Sequence, residues 1–444
     1  MNVQKEYQSK LKTPEEAVRV VQSGDWVDYG HTLSFPEALD RALAQRRDEL
    51  EDVKIRSAIS LRPVQVVEQD PEHKAFTFNV WHASARDRRY IDQGMAWFTP
   101  MLFRHNGSYY ERGFAPVNVA MVTMSPMDSH GNFNYGLSNC CQQETLDAAD
   151  YIIVEVNRHM PFIAGTEGDH IHVSQVDAIV ENDSPLPTNL PAEVSELDRK
   201  IAEHIFPYLS SGVTLQLGIG GMPNSVGKLI ADSDLTDIGM HTEMLSEGYL
   251  QLYKCGKITN RKKEVLRGKG TFSICSGSQE LYDFLDHNQG ILSTPMRWAN
   301  DPQVLKQFSN FVSINSCIAC DLYGQVCSET SGTRHISGTG GQLDFVTGAY
   351  EAGGKSFLAM TSTFRNKQGE ILSRILPKFT QGDVITTPRT QTAYLVTEYG
   401  VAHLPGLPTW QRAERIISIA HPDFREELIA AAEEQKIWRK SNKR

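Results

Sequence analysis

Two stretches of this chain follow one plan 188 residues apart: SGDWVDYGHTLSFPEALDRAL from Ser23 and SGVTLQLGIGGMPNSVGKLI from Ser211. Each begins Ser-Gly, runs through a short apolar strand to a glycine, and reaches a proline that opens a helical stretch. A second pair, VAMVTMSPMDSHGNFNYG and VSINSCIACDLYGQVCSE, puts an apolar strand before Asp-x-x-Gly, at Asp128 and at Asp321, 193 residues apart. Two matches in one order at nearly one offset predict a duplicated unit of about 190 residues. Whatever that unit is, the chain must fold it twice. Strands such as YIIVEV (151–156) and SFLAMTST (356–363) alternate with helical stretches such as TPEEAVRVVQSG and EVSELDRKIAEHIFPYLSSG. Such alternation predicts parallel α/β sheets. The halves are expected over residues 1–190 and 191–444, joined by the proline-bearing DSPLPTNLPAEV near 183–194. The C-terminal EELIAAAEEQKIWRKSNKR reads as an amphipathic helix with a basic tail.

Composition narrows the class of function. The 444 residues are 40% hydrophobic and 22% charged, ordinary for a globular protein. A net charge of −10 argues against nucleic-acid and membrane-surface roles, which favour basic patches. No long apolar run suits a membrane span, and MNVQKEYQSKLKTPEEA lacks the apolar core of a signal peptide. Seven cysteines, two adjacent at Cys140 and Cys141, fit reduced thiols and a cytoplasmic location better than a disulfide framework. Cys317 and Cys320 form one CxxC, but no second pair completes a zinc site, and no metal is expected.

The glycine cluster GIGGMPNSV (218–226) follows the strand VTLQL and opens a helix at Pro223. Backbone N–H groups at such a helix start can hold an oxyanion or a phosphate. A second cluster, ISGTGGQLDF (336–345), carries Gly338, Gly340 and Gly341 ahead of another apolar stretch. A dinucleotide-binding loop, and with it an NAD-dependent dehydrogenase, is the rival reading. GxGxxG from Gly218 would need glycine where Pro223 stands, although Glu243 lies 25 residues on, near the roughly 20 expected of a ribose-binding acid. The bland alternative for either cluster is a tight turn.

Glu243, in HTEM, stands where DIGMHTEM reads as a strand running out into a turn. No His–Ser pair and no second carboxylate at a useful spacing accounts for it. One use for an acid near two glycine cradles is as a nucleophile toward an activated acyl carbonyl, with backbone N–H groups stabilising the oxyanion. A solvated or hydrogen-bonded glutamate is the alternative. A carboxylate nucleophile needs no base, so His241 reads as structural.

GIGGMPNSV, HTEM, ISGTGGQLDFVTGA, SRILPKF and VTEYGVAHLPGLPTWQRAERIISIAHPDFREEL together resemble the acetyl-CoA hydrolase/transferase family. So do SGDWVDYG, APVNVAMVTMSPMDSHGNF and ADYIIVEVN. Within the family the chain is most similar to butyryl-CoA:acetate and 4-hydroxybutyrate CoA-transferases, and its length suits these shorter members. The resemblance implies two similar open α/β halves with parallel-rich sheets and an active site at their interface. It implies Glu243 as nucleophile and CoA contacts from Gly218, Ile219, Gly220, Gly221, Met222, Ile318, Gly340, Gly341 and Lys367. It implies ping-pong transfer of CoA from an acyl-CoA to a short carboxylic acid through a glutamyl-CoA thioester, with CoA a substrate and no cofactor. Butyrate with acetate is the first expectation; 4-hydroxybutyrate, a dicarboxylate such as succinate or itaconate, and plain hydrolysis are alternatives. Leu245–Gly248 varies among members and is expected to shape the acyl pocket. Lys367, Arg365 or the run Arg261–Lys262–Lys263 are candidates to meet the CoA phosphates, although a basic run is more often a solvated face. The roles of Glu398 and Tyr399 stay open. The protein is expected to be a cytoplasmic homo-oligomer, dimer or tetramer.

Overall fold

A computed structural model describes residues 2–189 and 193–441. The described chain forms two compact units. One comprises residues 2–189, 243–245 and 270–299; the other comprises 193–242, 246–269 and 300–441. The second half expected over 191–444 is therefore interrupted twice by segments that fold with the first, and Glu243 lies in one of them.

The first unit is built on seven strands: β1 (Trp26–Tyr29), β2 (Val53–Ser57), β3 (Phe76–Val80), β4 (Trp97–Phe98), β5 (Val117–Met124), β6 (Ala149–Val156) and β7 (Ala178–Glu181). They lie in the order β4-β3-β2-β1-β5-β6-β7, and every pair is parallel. A parallel sheet is covered on both faces, so its central strands must be apolar on both. β5 shows this directly. Val119 and Met121 enter one core with Val27, Tyr29, Ile55 and Ile153. Ala120, Val122 and Met124 enter the other with Phe133, Tyr135, Ile152 and Val154. From Val119 to Met124 the strand is thus two interleaved half-strands with period two.

One charge pair is buried in this sheet. Asp28 and Arg56 are register partners on β1 and β2. Arg56 Nη1 donates to Asp28 Oδ2 at 3.0 Å and the Tyr110 hydroxyl donates to the same oxygen at 2.7 Å. The guanidinium also lies over the rings of Trp26 (4.5 Å) and Trp81 (5.3 Å). A second buried acid, Glu155 near the end of β6, serves α1 (Glu37–Ala44). Its carboxylate accepts from Ala38 N at 3.0 Å, Leu39 N at 3.1 Å and Asn182 Nδ2 at 2.8 Å. It thus fills the N-terminus of the helix that follows β1.

The second unit uses β8 (Thr214–Leu217), β9 (Gly239–Met240), β10 (Phe311–Ser316), β11 (Lys355–Ala359), β12 (Tyr394–Thr397) and β13 (Gly400–His403). Their order is β9-β8-β10-β11-β12-β13, parallel except for the final antiparallel pair. Leu358, Leu395 and Ala402 pack one face against Ile416, Ile417, Leu428 and Ile429 of the last two helices.

The duplication is visible in the topology. β2-β1-β5-β6-β7 and β9-β8-β10-β11-β12 have the same order and the same parallel sense. The repeated Asp-x-x-Gly makes one turn twice. Asp128 Oδ1 accepts from the N–H groups of residues 130 and 132, and Asp321 Oδ1 from those of 323 and 325. Some local expectations need correction. The helix in TPEEAVRVVQSG is only Pro14–Ala17 with a 3₁₀ turn behind it. The helix at GIGGMP begins at Gly221, two residues before the proline. The C-terminal helix is Pro422–Glu434. Residues 190–192 of the expected linker and 442–444 of the basic tail lie outside the described residues. No helix among the described residues is long and apolar enough to cross a membrane.

Candidate active-site residues

In an open α/β sheet, ligands bind beyond the carboxyl ends of the strands where the chain order reverses. In the second unit that point lies between β8 and β10, and GIGGM begins there. Gly218 N donates to Ile314 O at 2.8 Å, and a Cβ on Gly218 would stand 2.9 Å from Asn315 Oδ1. Gly220, at φ +116°, takes a conformation that side chains rarely adopt, and α2 (Gly221–Ala231) starts immediately after it. No described side chain accepts from the N–H groups of Gly221 or Met222, so this helix start keeps donors for an anion. Asp198 lies beside Gly221 but is engaged by Ser195 N at 3.0 Å and Ser195 Oγ at 2.7 Å. Ile219 is exposed and Met222 is buried.

Ile318, three residues beyond Asn315, is half-buried. Its N donates to Cys327 O at 2.9 Å, and its O accepts from Arg374 Nη1 at 3.0 Å. Glu398 accepts from Ser362 N at 2.8 Å and from Ser362 Oγ at 2.5 Å. That acid ties the turn after β11 to the end of β12. Gly340 (φ +55°) and Gly341 are buried and precede α3 (Gln342–Glu351). Lys367 stands apart, exposed at the tip of the hairpin Thr363–Arg365/Ile371–Ser373.

The basic run Arg261–Lys262–Lys263 is not one solvated face. Arg261 is exposed and pairs with Asp237 at 2.8 Å, whereas Lys263 is buried, and burial pushes its amine down to about 7. His241 is wholly buried with its ring 5.0 Å from that of Phe308, in line with a structural role. Cys317 and Cys320 are buried as well.

Glu243 lies in the first unit; the other candidates lie in the second. The segment leaves β9 and bends at Glu243, then enters a second short strand. β9 stops at Met240, and Glu243 begins a new strand contact. Its carbonyl accepts from Ser273 N and Ile274 N, each at 3.0 Å, and Met244–Leu245 pairs in parallel with Ile274–Cys275. This layer rests on residues 137–140. Cys275 N donates to Leu137 O at 2.8 Å, and Asn139 N to Ser273 O at 3.0 Å. Thr32 Oγ1 in turn donates to Ser138 Oγ at 3.2 Å, bringing in the bend after β1. In the layer that holds the half-buried Glu243 segment, three buried polar atoms have no protein hydrogen-bond partner among the described residues: Asn139 Oδ1, Ser273 Oγ and Ser276 Oγ.

Sequence reading did not single out His31 and Cys140. His31 Nδ1 lies 3.1 Å from Cys140 Sγ, both buried, with Cys141 alongside. Burial opposes a thiolate at Cys140. The hydrogen bond from Cys141 and the charge of His31 outweigh it and bring the thiol down to about 5. Burial likewise opposes the imidazolium, and Cys140 more than offsets it, so His31 moves up. Each group is thus shifted toward its charged form. Thr32 (φ +52°), Ile59 (φ +55°) and Cys140 (φ +46°) hold strained backbones in this unit, a feature that clusters at functional sites. Only their positions after the strands of the repeat could have drawn notice in the sequence. Ultraviolet thiolate absorbance is expected to show one group titrating near pH 5 in the native protein. In His31→Phe that step should vanish upward, beyond the ordinary thiol range; an unchanged profile would disprove the pairing.

The acetyl-CoA hydrolase/transferase N-terminal domain matches residues 1–189, and the C-terminal domain of the same name matches residues 277–432. A butyryl-CoA:acetate CoA-transferase of Anaerostipes caccae is 45% identical over 446 residues, with 100% of each chain covered. A probable butyrate:acetyl-CoA coenzyme A-transferase of Syntrophomonas wolfei is 48% identical, covering 99% of this chain and 98% of its own. The crystal structure of RipA from Yersinia pestis matches with a TM-score of 0.90 at 35% identity, covering 98% of this chain and 100% of that one. With both domains matched in order and relatives aligned from end to end, the chain belongs to the acetyl-CoA hydrolase/transferase family.

Proposed function

We propose that this enzyme moves CoA between butyryl-CoA and acetate through a glutamyl-CoA thioester at Glu243. The observation that carries the reading is the HTEM acid on a half-buried segment whose carbonyl is held by Ser273 N and Ile274 N, with the buried Ser273 hydroxyl beside it lacking a protein partner among the described residues. The names of relatives 45% and 48% identical over essentially the whole chain support the substrates. The Glu243 carboxylate attacks the butyryl carbonyl, the C–S bond breaks, and CoA thiolate leaves an acyl-glutamyl anhydride. The thiolate attacks the glutamyl carbonyl and butyrate departs. Acetate then attacks the glutamyl thioester, and the same two steps run in reverse to release acetyl-CoA. Gly218–Met222, Ile318, Gly340, Gly341 and Lys367 hold CoA, whose distant nucleotide supplies binding energy used at the thioester. Water must be excluded, since it would hydrolyse both intermediates. CoA is a substrate, no cofactor takes part, and the enzyme works as a cytoplasmic homo-oligomer.

Exchange assays with butyryl-CoA and a panel of acids test this reading. Acetate is expected to give the highest kcat/KM, with slow acid release when no acceptor is present. A higher value for 4-hydroxybutyrate, succinate or itaconate would move the assignment to that acid. Hydrolysis as fast as transfer would make the protein a thioesterase.

A further inference from the structure

β9 is the edge strand of its sheet: one side pairs with β8, and the other would face solvent. A single loop closes that side. Asn260 Oδ1 accepts from Met240 N at 2.8 Å, and Lys263 Nζ donates to Met240 O at 2.8 Å. The same ammonium donates to Lys269 O at 2.7 Å and lies 5.9 Å from the Phe308 ring. Its stem crosses the strand at Gly239, where a Cβ would come within 2.6 Å of Lys263 Cγ. Glycine at that position is the condition for the crossing.

The two carbonyls gripped by Lys263 stand at particular places in the chain. Met240 is three residues before Glu243, and Lys269 immediately precedes Gly270. The chain passes from the second unit to the first at Thr242–Glu243 and again at Lys269–Gly270. Beyond the first point lies the HTEM acid. Beyond the second lies Ser273–Ile274, whose N–H groups hold the Glu243 carbonyl. Burying an amine is costly, and a neutral amide suffices to close a strand edge, as Asn260 does. What lysine adds is reach to two carbonyls at once.

We propose that Lys263 is a positioning residue: it fixes the two backbone points from which the HTEM acid and its partner strand depart, and so sets where the Glu243 carboxylate stands. This rests on the reading of Glu243 as nucleophile. Misplacing a reacting group by about 1 Å can cost about a hundredfold.

Lys263→Met keeps the stem and removes the donors. In the full-length enzyme it is expected to lower kcat about a hundredfold with KM for butyryl-CoA unchanged. The single-turnover rate of CoA attachment to Glu243 should fall equally. Leu428→Ala, a cavity in the second unit's core away from this loop, serves as the control for lost stability. It should lower the melting temperature and spare kcat. If Lys263→Met does not fold, Gly239→Ala displaces the stem while keeping the amine, and the same loss of kcat is expected. Wild-type kcat in the variant that folds, or a loss no greater than that of Leu428→Ala, would overturn the proposal while leaving the nucleophile intact. Normal transfer by Glu243→Gln would overturn the nucleophile reading and this proposal with it.

Discussion

Glu243→Ala is expected to lose CoA transfer by a factor on the order of 10⁴ to 10⁶, as when other enzymes lose a covalent nucleophile. The substitution removes the only atoms that form the covalent bond in the proposed sequence, and no binding energy can replace that step. The protein should still fold and bind CoA, because the backbone of the segment stays held by the Glu243 carbonyl on Ser273 N and Ile274 N. Glu243→Asp withdraws the carboxylate by one methylene and is expected to lose about a hundredfold. The covalent state itself is measurable. Butyryl-CoA without acceptor should leave CoA attached at this position, and borohydride should reduce the thioester to an alcohol visible by peptide mass. Transfer by Glu243→Ala at near the native rate would remove Glu243 from the mechanism.

Arg56→Leu is expected to destabilise the first unit by about 3–5 kcal/mol, because it leaves the Asp28 carboxyl buried without its cation. Burial already raises Asp28 from its ordinary value, against the pull of Arg56. Without Arg56 the folded unit will hold the carboxyl protonated, while the unfolded chain ionises it near its usual pKa. A group whose folded pKa is raised contributes its stability below the unfolded value and loses it as pH climbs toward the folded one. The urea midpoint of Arg56→Leu should therefore recover on acidification from pH 7.5 toward 5, relative to the native protein. Asp28→Leu combined with Arg56→Leu should recover part of the loss at every pH. Equal midpoints for Arg56→Leu and the native protein would show that the pair contributes nothing.

The sequence carried the repeat because the repeat is local: a strand, a glycine and a helix start recur at one offset, as does an aspartate that caps its own turn. Asp128 and Asp321 are found by spacing alone, and each accepts from the second and fourth N–H beyond it. HTEM was legible as a motif, but not its place. Met244 pairs with Ile274 across a gap that no local pattern spans, so the exchange of segments 243–245 and 270–299 could not be read. Lys263 was hidden for a different reason. In a run of three basic residues nothing distinguishes the one that turns inward; only Gly239, on another strand, leaves room for it. The His31–Cys140 pair likewise depends on a contact across 109 residues.

Glu155 gives the duplication a consequence of its own. Both units place a helix after their first central strand, and a helix start attracts an anion. In the first unit the chain supplies that anion itself, since Glu155 already holds Ala38 N and Leu39 N. In the second, no described side chain caps α2 at Gly220. A gene that copies a fold also copies its vacancies, and two vacancies invite two guests. Here one seat is permanently taken by a resident, so the doubled architecture has become asymmetric in what it can receive. One half leaves its helix start without a described side-chain cap, and the other fills its own with a fixed internal brace.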